Sequence, residues 1–147
     1  MHREVSKGIY YVGVDDHHTE LFESLWPLPH GVSYNSYLVV GDKIALIETV
    51  KNAWADEWIA NIREVVDPAK IDYIVMNHME PDHTGALPDI AALARNATMI
   101  YTQRASEMQK SFYDVPLKER VVKDLEEIPL GGKTLKFVHA QFLHWPE

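Results

Sequence analysis

No cysteine occurs among the 147 residues. Disulfides, thiolate zinc sites and iron–sulfur ligation are therefore excluded, and any bound metal must be held by nitrogen and oxygen. No run approaches the roughly 18 apolar residues of a membrane-spanning helix, and the stretch Met1 to Lys7 lacks the apolar centre of a signal peptide. The cytoplasm is the expected location. Basic residues are few and dispersed: 14 Lys and Arg stand against 22 Asp and Glu, for a net charge of −8. That balance excludes a nucleic-acid footprint and sets the chain against an anionic membrane surface. There is no internal repeat or low-complexity tract. What is present is an ordinary globular composition, 46% hydrophobic and 24% charged. The length suits one domain, which buries roughly 68–70% of its unfolded surface.

The chemistry is concentrated between Ile71 and Gly85. Tyr73 to Met76 is an apolar run that reads as a buried strand, and it empties into six residues holding four candidate metal ligands, His78, Glu80, Asp82 and His83. His78, Glu80 and Asp82 alternate, so an extended segment would point them to one side, with His83 in the turn that Gly85 closes. Such a loop can hold two metals close together. Two imidazoles with two carboxylates suit iron or zinc.

Around this stretch the pattern is that of an α/β (α+β) fold. Strands are expected at Lys7 to Val14, stopped by Asp15-Asp16, at Glu20 to Trp26, and at Ser33 to Val40 and Lys43 to Val50, the last two joined by a turn at Gly41-Asp42. A helix is expected from about Ala53, where Trp54, Trp58, Ile62 and Val65 recur at helical spacing, and the two tryptophans read as core. Asp67-Pro68 ends it. A second helix starts near Ala86 with Leu87, Ile90, Ala91, Leu93 and Ala94 on one face, and Pro88 is tolerated in its first turn. Thr98 to Tyr101 reads as a strand, Gln103 to Phe112 as a helix and Arg120 to Lys123 as an edge strand. Glu126 to Leu130 and Lys133 to Ala140 form a hairpin around Gly131-Gly132. His17 and His18 find no partner at ligand spacing and read as solvated; His139, on the strand before the His144 tract, reads as structural, with a donor role behind the metal ligands as the alternative.

The spacing His78-x-Glu80-x-Asp82-His83 resembles the metal motif of the metallo-β-lactamase superfamily, and specifically its flavodiiron branch. Zinc hydrolases of that superfamily usually carry His in the position of Glu80. His144-Trp145-Pro146 is similar to the family's next ligand segment, and Gly31 to Val39 to its early strand, so the resemblance covers nearly the whole chain, from about Val5 to Glu147.

The resemblance implies the N-terminal half of a metallo-β-lactamase-like αββα sandwich, with residues 1–147 a partial diiron domain and the flavodoxin-like domain absent. It assigns His78, Glu80 and His144 to one iron and Asp82 with His83 to the other, leaving the bridging carboxylate outside the sequence. Glu23 stands where several flavodiiron proteins carry a pocket histidine, and is expected either behind the ligands or exposed. The implied activity is reduction of O2 to water or of NO to N2O at a non-haem diiron site. Electrons would come from FMN, which belongs to the full-length parent and is not bound by this chain. The implied partners are a donor such as rubredoxin or a flavin reductase, and a second subunit in a homo-oligomer. One sheet face is expected to lie bare for want of the other half. Three alternatives remain: a zinc hydrolase of ester, thioester or lactam bonds, a non-catalytic O2-binding domain, and an inactive fragment without metal.

Overall fold

The computed structural model describes residues 2–147. A seven-stranded sheet forms its frame. β1 (Arg3–Ser6) and β2 (Ile9–Tyr11) make a hairpin at one edge. The expected strand from Lys7 to Val14 is broken here. After β2 the chain bends at Val12-Gly13, and β3 (Val14–Asp16) leaves to pair with β6 (Val32–Tyr34) in a separate ribbon. Gly13 marks the bend because a Cβ there would come within 2.2 Å of the Tyr34 carbonyl. Asp15 and Asp16 therefore lie in a strand instead of stopping one.

Between them, the stretch read as one strand from Glu20 to Trp26 is a tight hairpin of β4 (Leu21–Phe22) and β5 (Trp26–Pro27). Glu23 and Ser24 at its tip both take left-handed backbone angles, with φ of 49° and 59°, the pairing of angles that a primed hairpin turn needs. Phe22 and Trp26 stack across it.

The sheet resumes with β7 (Tyr37–Val40) and β8 (Ile44–Ile47), joined at Gly41-Asp42 as expected. The expected strand from Ser33 is interrupted before β7, where the buried Ser36 hydroxyl donates to the carbonyls of Ile47 and Glu48. A 3-10 turn (Asn52–Trp54) leads into α1 (Ala55–Arg63). Trp58 is fully buried on this helix, while Trp54 is half-buried and donates its indole N–H to Asp16.

β9 (Tyr73–Val75) lies parallel to β8 and to β10 (Thr98–Tyr101). β9 is followed by one helical turn, α2 (Pro81–Thr84), and then by α3 (Leu87–Leu93). α4 (Gln103–Phe112) returns the chain to β11 (Lys118–Val121), the other edge, two residues earlier than expected. The order across the sheet is β1-β2-β7-β8-β9-β10-β11.

The helices cover one face with the main core, which includes Leu38, Leu46, Trp58, Ile62, Ile74 and Leu87. The other face is not bare. The hairpin of β12 (Glu127–Pro129) and β13 (Thr134–Lys136) folds onto it around Gly131-Gly132. It builds a second core from Val39, Ala45, Val75, Ile100, Ile128 and Leu130. Beside this hairpin remains a largely apolar cavity of about 510 Å³. No helix among the described residues is long and apolar enough to cross a membrane.

Candidate metal centre

β8 and β9 run parallel and end side by side, and the chain leaves both strands at the same edge of the sheet. In open α/β sheets such carboxyl ends are where ligands bind. After β9 the chain bends at Asn77 and again at Glu80, whose own φ and ψ of −64° and 141° are extended, and Pro81 then starts α2. The alternation therefore ends at Glu80. Pro is well suited to a first helical position because its ring fixes φ and its missing N–H would have no partner there. Asp82 and His83 consequently sit on a helical turn, while His78 and Glu80 meet in the segment before it.

His78 and Glu80 meet His144 from the far end of the chain. The Glu80 Oε2 atom lies 3.0 Å from His78 Nε2 and 2.9 Å from His144 Nε2. Candidate ligand atoms of these three residues all lie within 4.8 Å of one another. Burial would raise the Glu80 carboxyl, but its hydrogen bonds to His144 and His78 outweigh this and hold it below the usual carboxylate range.

Asp82 and His83 flank the group. Asp82 Oδ2 is 3.6 Å from His83 Nε2, and the His83 and His78 ring centroids are 4.9 Å apart. The Glu48 carboxylate beside His83, 3.4 Å from its Nδ1, pushes that imidazole above its ordinary value. His17 and His18 are exposed, and His18 stacks on Trp54. His139 is placed by its backbone N–H, which donates to Asp124. Glu23 lines a cavity together with Asp82, Lys51 and Tyr113.

Two carboxylates that sequence reasoning passed over complete the surroundings. Glu48, just past β8 and nearly buried, accepts from the main-chain N–H groups of Asn77 and His78 with one oxygen. It thereby ties the β8 end to the β9 end. The available signal was an acid closing a buried strand at its carboxyl end, beside the strand that feeds the ligand loop. Glu147, reaching back from the last position, has its Oε1 atom 2.8 Å from His78 Nδ1 and accepts from the Met79 N–H at 2.7 Å. Its signal lay only in the fold.

The donor chemistry fits a metal. The group offers imidazole nitrogen and carboxylate oxygen, which suit iron or zinc. One carboxylate oxygen beside it, Asp82 Oδ1, is buried without a hydrogen-bond donor, and the buried Glu48 Oε2 has the His83 imidazole at 3.4 Å as its one neighbouring nitrogen group. A cation satisfies such oxygens.

Residues 32–147 match the model of the ODP family beta lactamase. The chain belongs to this family. It is 39% identical over 145 residues to the nitric oxide reductase of Moorella thermoacetica, covering 97% of this chain and 36% of that protein. It is 40% identical over 152 residues to the flavo-diiron protein FprA2 of Clostridium acetobutylicum, covering 98% and 36%. Among solved structures, the flavodiiron protein of Giardia intestinalis superposes with a TM-score of 0.94 at 34% identity, over 99% of this chain and 36% of that one. The rubredoxin oxygen:oxidoreductase of Desulfovibrio gigas gives 0.95 at 33%, over 99% and 37%. The chain thus spans little more than a third of these relatives' length. The resemblance to the N-terminal diiron region of flavodiiron proteins holds, and with it the metallo-β-lactamase-like fold.

Proposed function

We propose that this chain is the N-terminal, metal-holding part of a flavodiiron reductase acting on O2 or NO. The observation that carries the reading is the meeting of His78 Nε2 and His144 Nε2 on one oxygen of Glu80, at 3.0 and 2.9 Å. Three side chains from two distant segments converge there, and among the described residues the only positive partners of Glu80 are the two imidazoles. His78, Glu80 and His144 would hold one iron, and Asp82 with His83 the second. Bound iron would supply the redox chemistry, exchanging electrons with O2 or NO.

The protein's own residues prepare the place. Glu48 and Glu147 fix the main chain on either side of His78, through the N–H groups of Asn77, His78 and Met79. The half-buried Trp145 ring, at 83° to His78 with centroids 5.4 Å apart, packs edge to face against it. His83 and Asp82 offer a second imidazole and a second carboxylate at 3.6 Å from each other. FMN and a rubredoxin-type or flavin-reductase donor belong to the longer parent in this reading, as does assembly with a second copy.

The support for reductase over hydrolase is Glu80 at the centre of the group, together with the relatives named as a nitric oxide reductase and a rubredoxin oxygen:oxidoreductase. The test loads the chain with Fe(II) without oxygen and then adds one equivalent of NO or O2. The reading expects new iron–nitrosyl signals with NO and loss of ferrous iron with O2, both abolished by Glu80→Ala. Turnover of a chromogenic lactam by zinc-loaded chain, with neither iron response, would overturn it.

A further inference from the structure

From the contacts of Glu147 we infer that this residue is a positioning residue for the metal centre, fixing the His78 ring in the tautomer that turns a bare Nε2 towards the metal. The inference rests on the reading of the group as a metal site. Its argument is local. Glu147 Oε1 accepts from the Met79 N–H at 2.7 Å, and a backbone amide can only donate. That oxygen is therefore an acceptor. The same oxygen lies 2.8 Å from His78 Nδ1, so Nδ1 carries the proton in this contact. Nε2 donates to Glu80 at 3.0 Å, but a ring that ligates a metal is neutral, so with Nδ1 keeping its proton against Glu147 the nitrogen given up to the metal is Nε2. That nitrogen, Nε2, is the one that faces Glu80 and His144.

The contact is built to last. The Glu147 side chain is 1% exposed, and that of His78 is 21% exposed. The hydrogen bond between them is part-buried, which reduces competition from water. Trp145, two residues earlier, sets the ring plane from the side. One short segment thus does two jobs: His144 contributes a candidate ligand, and Glu147 orients a ligand from the other segment. Assembly of the His78 and His144 halves is therefore coupled. A carboxylate hydrogen-bonded to the outer nitrogen of a ligating histidine also raises its basicity, and loss of such a partner costs about 10–100-fold in metal affinity.

The test uses zinc as a diamagnetic probe. Nitrogen-15 NMR of the zinc-loaded chain assigns the His78 tautomer, and competition titration with a coloured chelator gives the affinity of wild type, Glu147→Leu and Glu147→Gln. The expected result has three parts. Wild-type His78 keeps a slowly exchanging proton on Nδ1 with zinc on Nε2. Glu147→Leu loses that protection and binds zinc about 10–100-fold more weakly. Glu147→Gln, which keeps an acceptor oxygen, stays close to wild type in tautomer.

Zinc on Nδ1 of wild-type His78 would overturn the inference, and this spectrum decides it even where Glu147→Leu does not fold. Equal affinity of wild type and Glu147→Leu would overturn it while leaving the metal centre standing. A wild-type chain that takes up no zinc would overturn both.

Discussion

His144 Nε2 lies 2.9 Å from Glu80 Oε2, although 64 residues separate the two in sequence. The whole of β10, α4, β11 and the β12–β13 hairpin is folded between them. Removing the shared acid should therefore hurt more than removing an orienting one. Glu80→Gln is expected to lower metal affinity beyond the roughly 10–100-fold typical for a partner behind a ligand. Chelator competition on the Fe(II)- or Zn(II)-loaded chain measures it.

Histidine content alone does not make a ligand here. His17→Ala and His18→Ala are expected to leave metal stoichiometry unchanged, because both rings are exposed and His18 is occupied with the Trp54 face. His18→Ala should still cost stability, by about 0.5–1.5 kcal/mol for the lost stack. Elemental analysis and denaturant titration check the two statements separately.

Asp16 predicts an acid limit. Burial would raise this carboxyl, but donors from Thr19, His18 and Trp54 outweigh that and lower it to about 2. Since the folded value lies below the unfolded one, its contribution is full above the unfolded pKa and disappears as pH falls through about 4 towards 2. The shift corresponds to on the order of 2 kcal/mol. Denaturant midpoints of wild type and Asp16→Asn should differ at pH 7 and converge near pH 2.

Trp58 tests the core. The ring is fully buried and its indole N–H has no hydrogen-bond partner. Trp58→Ala is expected to cost about 3–5 kcal/mol through the cavity it leaves. Trp58→Phe should cost clearly less, because it keeps most of the ring volume and removes an unsatisfied buried donor. Thermal unfolding of the pair distinguishes packing from polarity.

Much of this arrangement was legible in the sequence, and the rest was lost for identifiable reasons. Tyr73 to Met76 announced the strand under the ligand loop because a short apolar run next to polar ligand types has few other readings. The Gly41-Asp42 and Gly131-Gly132 turns were visible through turn chemistry. Breaks at Gly13 and at Asn35-Ser36 were not, since local propensity continues through them and only the departure of β3 and β6 to a separate ribbon demands them. The Glu23-Ser24 turn carries none of the usual glycine or asparagine signal, and the fold imposes left-handed angles on ordinary residues. Pro81 was the missed cue at the site. It converts alternation into a helical turn, so Asp82 and His83 flank His78 and Glu80 and do not extend their row. Glu48 and Glu147 act through contacts 29 and 69 residues away in sequence, which no local pattern encodes.

The measurement that bears most directly on the metal centre is iron per chain after anaerobic reconstitution and desalting, with His78→Ala alongside. Tightly held iron in wild type that is lost in His78→Ala, with both proteins folded by circular dichroism, is the expected result. Equal iron in the two proteins, or none in wild type, would contradict the assignment of His78, Glu80 and His144 as the metal-holding group.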